Sequence, residues 1–188
     1  HMGVYPAPGV RTSSDGNEAT SPVTADVWAE HSIWVQDPQY ALALTGGVTA
    51  FHILPGSANL IGGRGVTVKN LQRVTINSMK FPDAPHSLKM ACGENPKRVY
   101  GNRGQAPSTR MGNAAGYRKS WIQAEGYLRR LNEYEEKSDE AKELEYAPTR
   151  DLEMETLAGV LKGEILVHNH CYRACLLYTS PSPRDLRK

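Results

Sequence analysis

The chain has 188 residues, of which 39% are hydrophobic and 22% are charged, a composition typical of a single globular domain. Its formal net charge of +2 is too small to indicate a nucleic-acid or anionic-membrane partner. The apolar runs are far shorter than the roughly 20 residues of a membrane helix, so we expect a soluble, cytoplasmic protein. Cys92, Cys171 and Cys175 lack CxxC spacing and predict neither a disulfide framework nor a thiolate zinc site.

The first half of the chain predicts strands around one short helix. Residues 1–24, rich in Pro, Gly, Ser and Thr, are expected to form an extended loop that does not pack alone. Pro38 begins a helix that ends at Gly46, and "VTAFHILPG" then predicts a fully buried strand. "GGRGVTVKN" and "RVTINSMKF" predict two strands or a hairpin, and "HSLKMACG" predicts a short buried strand that contains Lys89.

The second half is mostly helical and ends in a strand. The pattern is helical over residues 113–142, and the charged stretch at about 126–150 predicts a surface excursion. "RDLEMETLAGVLKG" predicts an amphipathic helix with one apolar face, formed by Leu152, Leu157 and Leu161, that ends at Gly163. The last strand is "EILVHNH", with a buried apolar run. This alternation of strands and helices predicts a parallel β/α architecture.

Two histidines near the end of that strand are candidate metal ligands. His168 and His170 are two residues apart, so an extended strand places both on one face. Imidazole suits zinc, and a rigid strand lowers the entropy cost of ligation. Ordinary hydrogen-bonded histidines explain the spacing equally simply, because an HxH pair alone is a weak signal.

Lys89 is the second candidate, since it lies between Leu88 and Met90 in an apolar strand. Burial of an ammonium group costs several kcal/mol unless the group is paired or chemically altered. Reaction with CO2 would convert the amine into an anionic carbamate that bridges two metal ions. The alternative is a lysine at an exposed strand edge whose amine reaches water.

Four stretches of the sequence resemble one known family. They are "GVYPAPGVRTSSDGNEATSPVTADVWAEHSIW", "GGVTAFHILPGSANLIGGRGVTVKN", "LKMACGENPKRVYGNRGQAPSTRMGNAAGYR" and "GEILVHNHCYRA". Together they resemble the imidazolonepropionase-related branch of the amidohydrolase superfamily over most of residues 1–174. The resemblance implies a (β/α)8 barrel with an HxH metal motif after strand one, a lysine at strand four, histidines at strands five and six and an aspartate at strand eight.

The resemblance assigns roles to particular residues. His1 resembles the second histidine of the HxH motif, although "HM" at a chain start is also a common cloning scar. Lys89 resembles the strand-four lysine and His168 the strand-five ligand, with His170 as the alternative. The implied cofactor is one or two divalent ions, most simply zinc, and the implied general base is the strand-eight aspartate, which has no counterpart in this sequence.

The motifs "GENPKR" and "PSTRMG" carry further polar candidates. The resemblance implies that their polar groups line the mouth of the barrel and bind substrate: Asn95, Lys97, Arg98 and Arg110. Structural loop chemistry is the alternative explanation for the same residues.

The end of the chain departs from the family. Residues 175–188, "CLLYTSPSPRDLRK", have no apolar periodicity and resemble translated adapter sequence, so we expect a foreign or disordered tail without packed contacts. Residues 1–174 would then be a partial barrel, truncated at both ends and inactive by itself.

The expected function is that of a metal-dependent hydrolase of C–N bonds in non-peptide or cyclic amides, acting on a small molecule. A second hypothesis is a non-catalytic α/β interaction protein with structural histidines and a basic docking loop at residues 94–110. Metal content would distinguish the two hypotheses.

Overall fold

The computed structural model of the chain describes residues 1–143 and 146–177. The strands are β1 (Ala50–Ile53), β2 (Ile61–Lys69), β3 (His86–Ala91) and β4 (Ile165–His170). The helices are α1 (Pro38–Thr45), α2 (Ile76–Met79), α3 (Glu94–Gly101), α4 (Arg110–Glu135), α5 (Asp139–Glu143), α6 (Leu152–Leu161) and α7 (Ala174–Leu177). Two 3-10 turns, Arg11–Ser13 and Ala29–Ser32, precede them. None of the described helices combines the length and apolar character needed to span a bilayer.

The four strands form one mixed sheet in the order β1-β2-β3-β4. β2 runs antiparallel to both of its neighbours, whereas β3 and β4 pair in parallel. β1, β3 and β4 therefore share one direction. The expected α/β class is confirmed, but among the four strands of the described sheet only β3 and β4 pair in parallel, because the short loop between β1 and β2 returns the chain antiparallel.

Four helices, α3 to α6, connect β3 to β4, and two of them, α4 and α6, cover one face of the sheet. Side-chain caps fix the starts of two of them, since Thr109 accepts a hydrogen bond from Gly112 N in α4 and Asp151 accepts one from Met154 N in α6. The apolar cluster on this covered face joins the sheet to α4 and α6. Its buried members are Ala25, Leu60, Ile61, Leu88, Met90, Ala124, Tyr127, Met154, Leu157, Ala158 and Ile165.

A second apolar cluster packs the N-terminal segment on β1 and β2. It contains Val4, Tyr40, Ile53, Val66, Val68 and Met79. Asp37, only 2% exposed, anchors this segment by accepting hydrogen bonds from the backbone amides of Gly3 (3.0 Å), Ala7 (3.3 Å) and Gln39 (3.0 Å). The segment expected to be an extended loop is therefore packed on the sheet. The buried Asp37 carboxylate accepts hydrogen bonds from backbone amides that have no partner in a helix or strand.

Three of the predicted strands differ from the structure. Residues 76–79 of "RVTINSMKF" form helix α2, in which Thr75 accepts from Ser78 N, rather than a strand. β1 is mostly exposed except at Ile53, because it is an edge strand and not the buried one expected. β4 is likewise exposed at Leu166 and Val167, so its apolar run is buried only at Ile165.

The helices also depart from the predicted packing in detail. α6 exists as predicted, but Leu152 and Leu161 are exposed and its buried face is formed by Met154, Thr156, Leu157, Ala158 and Gly159. The helical pattern expected over residues 113–142 is confirmed, but it is divided into α4, which ends at Glu135, and α5. Tyr127 of α4 is buried in the core and Leu131 packs against it, although both lie in the stretch predicted to be a surface excursion.

The cysteines contradict the sequence prediction. Cys92 and Cys171 form a disulfide, although they are 79 residues apart in the sequence. They follow Ala91 and His170, the last register partners of β3 and β4, and their Cα atoms are 5.4 Å apart. Sequence spacing does not reveal such a pair, because the parallel strands create the proximity. Cys175 is free and exposed.

The described part of the C-terminal tail is partly packed. Leu176 is 5% exposed and lies against Gly93, so the expected absence of packed contacts does not hold for this residue. Residues 178–188 lie outside the described residues. That the stretch from residue 175 onward is foreign stays a prediction.

We expect Asp37→Ala to lower the free energy of unfolding by about 3 kcal/mol, because three backbone amides lose a buried acceptor. Chemical denaturation monitored by circular dichroism measures the change. Asp15→Ala is the matched control, since Asp15 lies in the same N-terminal segment with an exposed side chain. Equal effects of the two substitutions would contradict the anchoring role.

We expect Glu153→Gln to stabilise the fold above pH 6 but not near pH 4. Burial, followed by the charges of Asp26 and Asp151, raises the pKa of Glu153 above its ordinary value of 4.5. A raised pKa means that the folded state binds the Glu153 proton more tightly than the unfolded state does. This proton binding stabilises the fold at low pH, and the stabilisation is lost as the pH rises through the pKa of Glu153 in the folded state. The variant should gain up to about 0.5 kcal/mol at pH 7. Denaturation curves at pH 4 and 7 check this, and a less stable variant at pH 7 would refute it.

Candidate metal centre

Lys89 and His168 lie side by side on the face of the sheet opposite the helices. They are direct register partners in the parallel β3–β4 pair, and partners in adjacent strands project to the same face. The same alternation places Ser87 and His170 on this face. We call it the open face. The prediction that Lys89 and His168 share a face is confirmed.

Lys89 is buried, with 7% of its surface exposed, in an internal strand of the sheet. This position does not fit a lysine at an exposed edge. Burial lowers the pKa of the Lys89 amine, and within residues 1–143 and 146–177 no ion pair or hydrogen bond of its side chain offsets that burial. The Lys89 amine therefore loses its proton more easily than a lysine in water does.

His170 lies two residues beyond His168 and is partly buried. Burial, and then the positive charge of Lys89, lower the pKa of His170. Its ring also packs against Tyr172, with centroids 5.2 Å apart. The lowered pKa favours the neutral imidazole, which is the form that ligates metals.

His52 joins this group, and the sequence prediction did not include it. Its ring stacks on that of His168, with centroids 4.7 Å apart and planes 30° from parallel. Its two ring nitrogens lie 2.8 Å from Thr67 Oγ1 and 2.8 Å from Ser87 Oγ. Burial, and then the charge of His168, lower the pKa of His52. The only local sign of His52 in the sequence is a histidine within the predicted strand "AFHI". The residues that it contacts, Thr67, Ser87 and His168, are distant in the sequence.

Gly65 allows side chains from the two edge strands to meet. His52 lies on β1 and His168 on β4, with β2 and β3 between them. Gly65 and Ser87 are register partners beneath the rings, and a Cβ on Gly65 would lie 2.5 Å from Ser87 Oγ and 2.9 Å from the Ile53 carbonyl oxygen. The absence of a side chain at this position leaves the space in which His52 reaches Ser87.

Two known proteins are similar to the chain over nearly all of its length. The crystal structure of an amidohydrolase from Thermotoga maritima MSB8 superimposes with a TM-score of 0.84 and 40% sequence identity, covering 95% of this chain. The amidohydrolase tasK of Hapsidospora irregularis is 37% identical over 187 residues, or 92% of this chain. No family model matches. The chain belongs to the amidohydrolase superfamily.

The chain spans only part of each relative, namely 45% of the Thermotoga chain and 19% of tasK. The superfamily predicted from the quoted stretches is thus confirmed. The comparisons do not specify the imidazolonepropionase-related branch.

His1 lies at the carboxyl end of β1 in the amidohydrolase fold. Its Nδ1 is 2.8 Å from the carbonyl oxygen of Leu54, and its ring packs edge-on against Tyr5 at 5.6 Å. Within the described ranges, no group of three or more His, Cys, Asp or Glu side chains is arranged to hold a metal ion. The structure therefore does not bring His1 into a common three-ligand group with His168 and His170.

The four predicted substrate-binding residues of the amidohydrolase chain separate into two pairs. Lys97 and Arg110 line a cavity of about 240 Å³ beyond the carboxyl ends of β3 and β4, together with Arg173 and Glu94. Arg173 forms an ion pair with Glu94. Asn95 and Arg98 do not line it. Instead, Arg98 Nη2 donates to Asn95 Oδ1 at 3.5 Å within α3.

The first turns of α4 fix the end of β3 beside this cavity. Asn113 Nδ2 donates to the carbonyl oxygens of Cys92 (3.1 Å) and Gly93 (3.2 Å), and Tyr117 Oη donates to that of Ala91 at 2.5 Å. Burial raises the pKa of Tyr117, so the hydroxyl remains a donor. These bonds satisfy strand-end carbonyls that have no partner in the sheet.

We expect Gly65→Ala to destabilise the amidohydrolase fold by about 1 to 3 kcal/mol, because the new methyl group would overlap Ser87 and the Ile53 carbonyl. Gly126→Ala is the matched control. A Cβ at that helical position meets nothing closer than Arg130 at 3.7 Å, so the control should gain about 0.5 to 1 kcal/mol. Denaturation curves measure both. A stabilised Gly65 variant would show that this space is not required.

Proposed function

We propose that the chain is part of a metal-dependent hydrolase that cleaves C–N bonds in non-peptide or cyclic amides of small molecules. The observation that carries the proposal is the convergence of Lys89, His168 and His170 on the open face. Both similar proteins are named amidohydrolases, which supports the hydrolase class. The interaction-protein hypothesis is not favoured, because neither similar protein bears a name of that kind.

We further propose that the sheet is part of a (β/α)8 barrel of the imidazolonepropionase-related branch. The common direction of β1, β3 and β4, and the helical crossover between β3 and β4, support this arrangement. In such a barrel β2 is an additional antiparallel strand between two barrel strands. The carboxyl ends of the barrel strands carry the site.

The donor set fits zinc, the cofactor we propose as one or two ions. Two neutral imidazoles and an oxygen anion are ligands that zinc accepts. The uncharged Lys89 amine can add CO2 to form N–CO2⁻ with release of one proton, which supplies that anion where the described residues place no carboxylate. When bound, a divalent ion lowers the pKa of water and polarises a carbonyl group.

The chain's own residues then have separate roles. His168 and His170 would hold the ion through their ring nitrogens, and a carbamate on Lys89 would supply oxygen ligands to one ion or to two. His1 is a further ligand in this proposal. To ligate through Nδ1, its ring must move away from the carbonyl oxygen of Leu54, which it contacts beside the carboxyl end of β1. Lys97 and Arg110 orient an anionic part of the substrate, and Asn95 and Arg98 support α3, the helix that carries Lys97. The general base, an aspartate, is expected outside the described residues.

We expect zinc affinity to depend on bicarbonate in the unmodified chain and to lose that dependence in Lys89→Gln. The reason is that the substituted side chain cannot form a carbamate. His168→Ala should weaken zinc binding about tenfold or more, because one of few ligands is removed. Competition with a chromophoric chelator at pH 8, with and without bicarbonate, measures both effects.

Lys119→Gln is the control for the lysine substitution, since Lys119 is an exposed residue of α4. It should retain the affinity and its bicarbonate dependence. Zinc binding that is unaffected by both Lys89→Gln and His168→Ala would refute the proposed site.

Activity is tested on this chain and on a version extended to the length of the Thermotoga relative. The substrates are N-acyl amino acids, small cyclic amides and imidazolones. We expect turnover from the longer protein alone, because the described residues place no general base beside Lys89 and His168. A longer protein that binds no metal and hydrolyses none of these substrates would favour the interaction-protein hypothesis.

A further inference from the structure

We propose that His52 is a positioning residue that fixes the ring of His168 for metal ligation. This inference rests on the proposed function, because it assigns His52 a role through a candidate ligand. The observation behind it is the stacked pair of imidazoles on the open face, with centroids 4.7 Å apart. Neither ring belongs to the helix-covered core, so packing there does not explain the contact.

His168 needs an external constraint because of where it lies. β4 is an edge strand, and His168 and its neighbours Leu166 and Val167 are exposed. An exposed side chain occupies several rotamers, and the loss of that freedom opposes metal binding. A ring stacked at 30° to the imidazole plane restricts those rotamers before the metal arrives.

His52 is itself held from both sides. Thr67 Oγ1 and Ser87 Oγ each lie 2.8 Å from one of its ring nitrogens. A neutral imidazole has one donor and one acceptor, and two hydroxyl groups can satisfy both. With both nitrogens engaged, His52 is poorly placed to ligate a metal directly. It therefore acts through His168.

The neighbouring strands supply a rigid base for this contact. Thr67 is the register partner of His52 in β2, and Ser87 is buried in β3. Gly65 leaves the gap through which His52 reaches Ser87. The position of the His168 ring thus depends on side chains from three other strands: His52 of β1, Thr67 of β2 and Ser87 of β3.

The experiment compares ring signals and zinc affinity in five variants. Imidazole nitrogens of ¹⁵N-histidine-labelled protein are recorded by NMR, with His168 assigned from His168→Ala, and affinity is measured with zinc chloride and a chelator. His52→Ala should shift or broaden the His168 ring signals and weaken zinc binding about tenfold, the scale found for residues that orient metal ligands.

His52→Phe keeps a ring against His168 and should remain within about threefold of the unmodified affinity. Thr67→Val removes one hydroxyl partner and should give an intermediate loss. His31→Ala is the control, because His31 is an exposed histidine that stacks on Trp28 and not on a candidate ligand. It should change neither readout. If His52→Ala fails to fold by circular dichroism, the Thr67→Val and His52→Phe variants decide.

Three results would overturn the inference, and they are distinguishable. Unchanged affinity and unchanged His168 signals in His52→Ala, with weak binding in His168→Ala, would refute positioning and leave the proposed metal site standing. Unchanged affinity in His168→Ala would refute the metal site itself and the positioning role with it. If zinc affinity falls as much in His52→Phe as in His52→Ala, a role for the stacked ring is also refuted.

Discussion

The parallel pairing of β3 with β4 is the constraint on which the candidate site depends. Its register runs from His86 against Ile165 to Ala91 against His170, and the amide of Cys92 extends it by donating to the His170 carbonyl oxygen at 3.1 Å. A slip of one residue would move every side chain of β4 to the opposite face. Lys89 and His168 would then be separated by the sheet, and His168 would face the helices.

The helical crossover makes this pairing possible and protects it. Parallel neighbours need a long connection, here provided by α3, α4, α5 and α6, and two of these helices bury the apolar face of the same strands. The helices thus select which face of β3 is open. Asn113 and Tyr117 of α4 also bind the carbonyl groups that follow Lys89, so the helix that shields the core also fixes the strand end.

The open face concentrates basic groups without a neighbouring carboxylate among the described residues. Burial lowers the pKa values of His52, Lys89 and His170, and for the two histidines the charges of His168 and Lys89, respectively, lower the pKa further. Such a group of basic side chains is stable when the side chains are neutral. It is also stable when a bound anion, or a carbamate formed on Lys89, supplies negative charge beside them. This electrostatic situation agrees with the amidohydrolase relationship, and it gives a physical reason for a buried lysine in an internal strand.

The sequence by itself determined the positions of α1, β2, β3, α6 and β4, because their periodicity, caps and glycine ends are local properties. It also determined the superfamily, through motifs such as "GENPKR". It did not predict α2, the exposed face of β1 or the packed N-terminal segment, since these depend on an edge position in the sheet and on the buried Asp37. The disulfide and the contact of His52 with His168 were decided by tertiary structure alone. Both join residues of different strands, 79 and 116 positions apart respectively (171 − 92 and 168 − 52), and no local pattern encodes which strands become neighbours.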